Sequence, residues 1–130
     1  MIRTYLDSGV LIAAARGVDD LAAVALALLS DINRVFVTSV FVKLEVLPKP
    51  VYNKYLAEVR FYETYFAAAV AWAEPDIASA ALQLAQQYGL AALDALHVAA
   101  AVALKADELI TTERPGKPIH RVTDVRIVGI

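Results

Sequence analysis

At 130 residues the chain fits one domain, large enough to bury a core without disulfide or metal staples. Apolar residues make up 59% of it and charged ones 20%, with much of the apolar share alanine, which excludes a disordered chain and points to tightly packed helices. Twelve basic against fourteen acidic residues give a net charge of −2, so the global basic field of a simple nucleic-acid-binding module is missing.

There are no cysteines, which excludes disulfides, thiolate zinc sites and cysteine nucleophiles and suits the cytoplasm. No charge-free apolar run approaches the roughly 18 residues of a membrane span. The expectation is a cytoplasmic protein that does not enter a membrane. Asp7 interrupts the N-terminal apolar stretch and no cleavage pattern follows, so a signal peptide is not expected.

In chain order, Ile2–Leu6 reads as a short buried strand ending at the corner Asp7-Ser8-Gly9. Val10–Ala15 reads as a short helix stopped by Gly17, and Asp19-Asp20 cap a second over Leu21–Ile32. The β-branched run Val35–Thr38 is a second strand, after which Ser39 caps a helix to about Leu47, terminated by Pro48 and Pro50. Tyr52, Tyr55, Leu56, Val59, Tyr62 and Phe66 recur at helical spacing and predict one helix over Val51–Phe66. Ala67–Ala73 is open between helix and linker. Pro75-Asp76 opens a helix to Tyr88 with Gly89 as its C-cap, and the nearly all-apolar helix Ala91–Ala106 belongs in the centre of the fold. Glu108–Thr111 is a third strand and Val125–Ile130 a fourth, separated by the loop Pro115-Gly116-Lys117-Pro118. Short buried strands alternating with helices predict a single α/β domain over residues 1–130 with a parallel sheet.

Four carboxylates stand out against this pattern. Asp7 ends the first strand, Glu45 lies in Val40–Leu47 beside only one other charge, Asp94 interrupts the apolar run Leu90–Leu104, and Glu113 follows the third strand. Taken singly, Asp7 can cap a helix, Glu45 can lie on a solvent stripe and Glu113 can be a turn residue. Asp94 resists such a reading, because burying an unpaired carboxylate costs several kcal/mol or raises its pKa strongly. In a parallel sheet the strand C-termini share one edge, where ligand sites form. Carboxylates converging there repel unless cations neutralise them, and hard ions such as Mg²⁺ or Mn²⁺ take oxygen ligands and assist phosphoryl transfer.

This arrangement resembles the PIN-domain family, in particular the VapC-like ribonuclease toxins of prokaryotic toxin–antitoxin pairs. The stretches that carry the likeness are Tyr5-Leu6-Asp7-Ser8, Thr38-Ser39-Val40 leading to Glu45, Leu93-Asp94-Ala95-Leu96-His97-Val98-Ala99-Ala100-Ala101, and Leu109-Ile110-Thr111-Thr112-Glu113. The resemblance implies a three-layer α/β/α fold with a short parallel sheet flanked by helices. It implies cleavage of single-stranded RNA by metal-activated water, with Mg²⁺ or Mn²⁺ held by Asp7, Glu45 and Asp94. It also implies a homodimer and a small antitoxin as partner. Glu113 departs from the family pattern, in which the fourth acid is usually Asp, and so does the Pro-Gly-Lys-Pro loop after it.

Supporting candidates are Ser8 and Thr112, which can cap or hydrogen-bond near the site, and His97, one helical turn from Asp94, which reads as a core or supporting histidine rather than a general base. Two histidines alone do not make a zinc site. Lys43, Lys49, Lys54, Arg114, Lys117 and Arg121 can flank an RNA path or be scattered surface charge. The alternative function is an inactive PIN-like module that serves protein interaction or dimerisation. An aspartate phosphatase of Asp7 would want a second Asp where Gly9 stands, and a receiver domain an acidic pair before its reactive Asp.

Overall fold

The computed structural model describes all of residues 1–130. Five strands form one sheet: β1 (Ile2–Leu6), β2 (Arg34–Thr38), β3 (Ala71–Trp72), β4 (Glu108–Thr111) and β5 (Arg126–Gly129). Every neighbouring pair is parallel, and the order across the sheet is β3-β2-β1-β4-β5. Seven α-helices flank it: α1 (Ser8–Arg16), α2 (Asp20–Leu29), α3 (Val40–Val46), α4 (Pro48–Tyr52), α5 (Leu56–Ala68), α6 (Ala78–Tyr88) and α7 (Ala92–Ala103), with a 3₁₀ turn over Pro118–Arg121.

The strand order explains the layering. From β1 the chain steps one way to β2 and β3, then jumps back across β1 to β4. Right-handed crossovers in opposite directions place their helices on opposite faces of the sheet. Accordingly α1 packs with α2, α3 and α5, while α6 packs on α7 and α7 lies against β2 and β4. The result is the expected three-layer α/β/α sandwich. Its reversal point lies between β1 and β4, where open parallel sheets place their ligand crevice.

The core is what the composition implies. Tyr5, Leu6, Val37, Leu109 and Ile110 of the three central strands are sealed from solvent, each such aliphatic side chain contributing about 1.5–3 kcal/mol on burial. Ala95, Ala99, Ala100 and Ala101 of α7 are buried too. Their small side chains let the helix backbone lie close over β2 and β4. Because α7 runs antiparallel to the strands, its N-terminal turn, with Asp94, sits at their C-terminal edge. Gly89 ends α6 in the left-handed conformation at φ 71°, as a glycine C-cap should.

Several elements differ from the sequence expectation. Pro48 does end α3, but it also occupies the first turn of α4, where a missing N–H costs nothing because the first turn's N–H groups lack helical partners anyway. The long helix expected over Val51–Phe66 is two helices broken at Asn53–Tyr55, with Lys54 in the left-handed region at φ 60°. Tyr52, Tyr55 and Leu56, which extended the helical repeat, are exposed, so their periodicity does not mark the core. The stretch after α5 holds a fifth strand of two residues, too short for any alternation to show. Helix α6 begins at Ala78, later than Pro75-Asp76 implied. Ser39 precedes α3 but makes no capping hydrogen bond, because its hydroxyl is used in the core.

Candidate active site

The register brings Leu6 opposite Ile110, so the next residues, Asp7 and Thr111, emerge side by side at the sheet edge. Asp7 fills both readings open to it. One carboxylate oxygen caps α1 by accepting the Ser8 N–H at 2.7 Å, and the other accepts the Thr111 hydroxyl at 2.8 Å. Thr111 Oγ1 in turn accepts the backbone N–H of Glu113 at 3.1 Å, and His120 Nε2 lies 2.8 Å from the Glu113 carbonyl. The Glu113 turn is therefore tied to Asp7 through one threonine. Thr111→Val keeps the shape but strips a donor from Asp7 and an acceptor from the Glu113 N–H. It is expected to destabilise the metal-free fold by about 1–2 kcal/mol. Thermal melting in EDTA measures this, and an unchanged Tm would mean the link carries no weight.

Thr112, the threonine singled out in the sequence, plays a different part. Its hydroxyl lies over the first turn of α1, where a Cβ on Gly9 would come within 2.2 Å of it. Gly9 therefore leaves room for the Thr112 hydroxyl, which would have to turn away to admit the second Asp that a phosphatase needs at that position.

Glu45 reaches the site from α3 and is held from two sides. Ser8 Oγ donates to its Oε1 at 2.7 Å, and His97 Nε2 lies 2.5 Å from the same oxygen. The His97 hydrogen bond holds the Glu45 carboxyl below its ordinary pKa; partial burial opposes this, and the Ser8 bond adds to it. Glu45 is therefore an anion at neutral pH, with its side chain still 30% exposed. Asp7, Glu45 and His97 each present one donor atom within 4.8 Å of the others.

Asp94, half-buried in the first turn of α7, completes the acidic surroundings. Its pKa is raised, by burial first and then by the charges of Asp7 and Glu113, with Glu45 adding to the rise and His97 opposing it. Asp94 and Glu113 stand outside the tight group of three but within its electrostatic reach. The lysine and arginine ion pairs of the chain are Arg16–Glu58, Arg34–Asp31 and Arg34–Glu108. None of them neutralises the four acids. Oxygen-rich, net negative and open on one side, this set fits a hard divalent cation.

Sequence reasoning missed Thr111, Tyr5 and Ser39. Thr111 was hidden because strand register decides which of two adjacent threonines faces Asp7. Tyr5 did leave a signal: a tyrosine within a buried strand needs a partner for its hydroxyl.

A doubly wound parallel sheet with acids gathered at its reversal point defines the class of protein. The PIN-domain pattern matches residues 4–114, and the chain belongs to the PIN-domain family. It superposes on a chain of the VapBC2 complex of Rickettsia felis bound to a promoter DNA fragment with a TM-score of 0.74, at 17% identity, covering 99% of each chain. A chain of a toxin–antitoxin complex from Klebsiella pneumoniae gives a TM-score of 0.63 at 26% identity, covering 95% of this chain and 99% of that one. FitAcB from Neisseria gonorrhoeae gives 0.63 at 20% identity, covering 97% and 96%. A comparison with curated proteins finds no match.

Proposed function

We infer that this chain is an endoribonuclease that cleaves single-stranded RNA with Mg²⁺ or Mn²⁺, acting as the toxin of a toxin–antitoxin pair. The observation that carries the reading is the gathering of Asp7, Glu45, Asp94 and Glu113 at the switch point of a PIN fold with no lysine or arginine to balance them. Asp7, Glu45 and Asp94 are the residues to hold the cation, with Glu113 at the rim. A bound Mg²⁺ or Mn²⁺ would activate water as a nucleophile and offset the charge that builds on the phosphodiester. The protein's own task is positional. Thr111 and the Ser8 N–H hold Asp7, and Ser8 Oγ and His97 hold Glu45. The exposed Lys43, Arg114 and Lys117 supply phosphate contacts along the approach. Lys43 is itself stationed over the rings of Phe66 and Trp72, at 5.9 and 5.8 Å.

The exposed apolar side chains Val40, Leu44, Val51, Tyr52 and Leu56 of α3, α4 and α5, with Tyr55 in the break between the last two, support the protein-binding half of the proposal, an antitoxin and a second copy of the chain. The similar chain from Klebsiella pneumoniae comes from a toxin–antitoxin complex, and that from Rickettsia felis from VapBC2 bound to promoter DNA. The test is cleavage of an unstructured RNA with Mg²⁺ or Mn²⁺ and with chelator. Cleavage that persists in EDTA would overturn the metal assignment, and none under any metal would favour an inactive interaction module.

Glu113 is a separable part of this reading. Its backbone is pinned by Thr111 and its carbonyl faces His120, while its carboxylate makes no hydrogen bond. Glu113→Gln is expected to reduce cleavage less than Asp94→Asn, and Glu113→Asp to be tolerated. Full activity of Glu113→Gln across a range of metal concentrations would leave it a turn residue only.

A further inference from the structure

Behind Glu45, on the core side, His97 continues into a line of buried polar side chains, Tyr5 and Ser39, that the cation-binding reading does not use. Ser39 Oγ is 2.7 Å from the Tyr5 hydroxyl, which is 2.8 Å from His97 Nδ1, while His97 Nε2 meets Glu45. Ser39 and Tyr5 are fully buried and His97 is 1% exposed. Three buried polar side chains from β1, the β2–α3 corner and α7 thus spend their hydrogen-bonding capacity on one another and on Glu45.

Glu45, as a carboxylate, only accepts, so His97 Nε2 carries a hydrogen and donates to it. Nδ1, on the other side of the ring, pairs with the Tyr5 hydroxyl, which in turn pairs with Ser39 Oγ. The chain runs without a gap from Ser39 through Tyr5 and His97 to Glu45. The tilted contact of the Tyr5 and His97 rings, centroids 5.8 Å apart, adds packing that resists rotation of the imidazole. Glu45, by contrast, extends from a seven-residue helix and is open to solvent on its outer side. Without this support only the Ser8 hydroxyl would hold its carboxylate against the other rotamers open to it.

We propose that Ser39, Tyr5 and His97 form a positioning chain that locks the Glu45 carboxylate toward the cation, with Tyr5 and Ser39 acting only through His97. The proposal rests on the cation-binding reading of Asp7, Glu45 and Asp94. None of the three positioning residues touches RNA or the reacting atoms. Outer hydrogen-bond partners of this kind typically change metal affinity about 10- to 100-fold when lost.

The test is Mn²⁺ binding by the whole protein, followed through the spectroscopic signal of free Mn²⁺, which needs no turnover. Tyr5→Phe is expected to raise the Mn²⁺ Kd about tenfold, and His97→Leu at least as much. His97→Gln, which can offer an amide N–H near the place of Nε2, is expected to regain most of the affinity. Circular dichroism in EDTA checks that each variant is folded, and Ser39→Ala, at the far end of the chain, replaces Tyr5→Phe if that variant is not. Folded Tyr5→Phe and His97→Leu proteins that bind Mn²⁺ within twofold of wild type would overturn the proposal. Loss of affinity in His97→Gln equal to that in His97→Leu would overturn it in favour of His97 as a direct ligand. If wild type itself binds no Mn²⁺, the cation-binding reading falls first and this inference with it, a result distinct from the other two.

Discussion

Changing Asp94 to Asn is expected to lower the rate of RNA cleavage at least about a hundredfold, and Asp7→Asn similarly. A hundredfold is about 2.7 kcal/mol of transition-state stabilisation, a modest part of what a positioned divalent ion supplies to a phosphodiester. Both substitutions nearly conserve volume, so a loss of that size is not readily a packing effect. For Asp7 the hydrogen bonds can also survive. An asparagine oxygen still caps α1 through the Ser8 N–H, and the Thr111 hydroxyl can turn to accept from the amide. What disappears is the charge. Single-turnover cleavage with saturating Mn²⁺ measures the effect, and a rate for Asp94→Asn equal to wild type removes that residue from the mechanism.

The second large effect is on stability, and its sign depends on metal. Burial first, and then Asp7 and Glu113, raise the Asp94 carboxyl above its value in the unfolded chain. The folded state therefore binds that proton more tightly than the unfolded one, and keeping Asp94 ionised costs stability at every pH above its folded pKa. The cost fades as pH falls through that value. Without metal, then, Asp94→Asn is expected to melt at or above wild type at neutral pH, and the gap should close on acidification. Glu45 works in the opposite sense. Its pKa is lowered by the His97 bond, with burial opposing, so its contribution is lost as pH falls. Both proteins retain Glu45, so its term largely drops out of the comparison.

Metal reverses the order. An ion that binds only the folded state at a hundred times its Kd adds about 2.7 kcal/mol, or roughly 10 °C in Tm for a domain of this size. Wild type is expected to show that rise with Mn²⁺ and Asp94→Asn little of it. Thermal scans with EDTA and with Mn²⁺ at several pH values read all of these terms. A metal-free mutant that melts lower than wild type, with neither protein responding to Mn²⁺, would make Asp94 a structural residue.

The central strands were legible in the sequence as short stretches bounded by turn signals, as in Tyr5-Leu6 before the Asp7-Ser8-Gly9 corner and in the β-branched run Val35–Thr38. Gly89 and the apolar helix around Asp94 were legible for similarly local reasons: a left-handed cap favours glycine, and a carboxylate in an alanine-rich helix has no local partner. The break at Asn53–Tyr55 was not, because surface aromatics there continue a helical repeat without facing the core. Nor was the two-residue β3, whose place is set by pairing Val37 with Ala71 and Thr38 with Trp72.

For the site, the division falls between identity and arrangement. Asp7, Glu45, Asp94 and Glu113 are conspicuous in one dimension because a charge inside an apolar segment violates the local pattern wherever it occurs. Which groups serve those acids is settled by contacts between residues far apart in the chain. Thr111 rather than Thr112 reaches Asp7 because the β1–β4 register puts it there, 104 residues away. Ser39 pairs its hydroxyl with Tyr5 instead of capping α3, and His97 reaches Glu45 across 52 residues, because α7 is laid over β2 and β4 by its alanines. Periodicity along a chain records which side chains are buried. Only the packed sheet and helices decide which buried polar groups meet, since a hydrogen bond depends on distances of a few tenths of an ångström that no spacing in the sequence encodes.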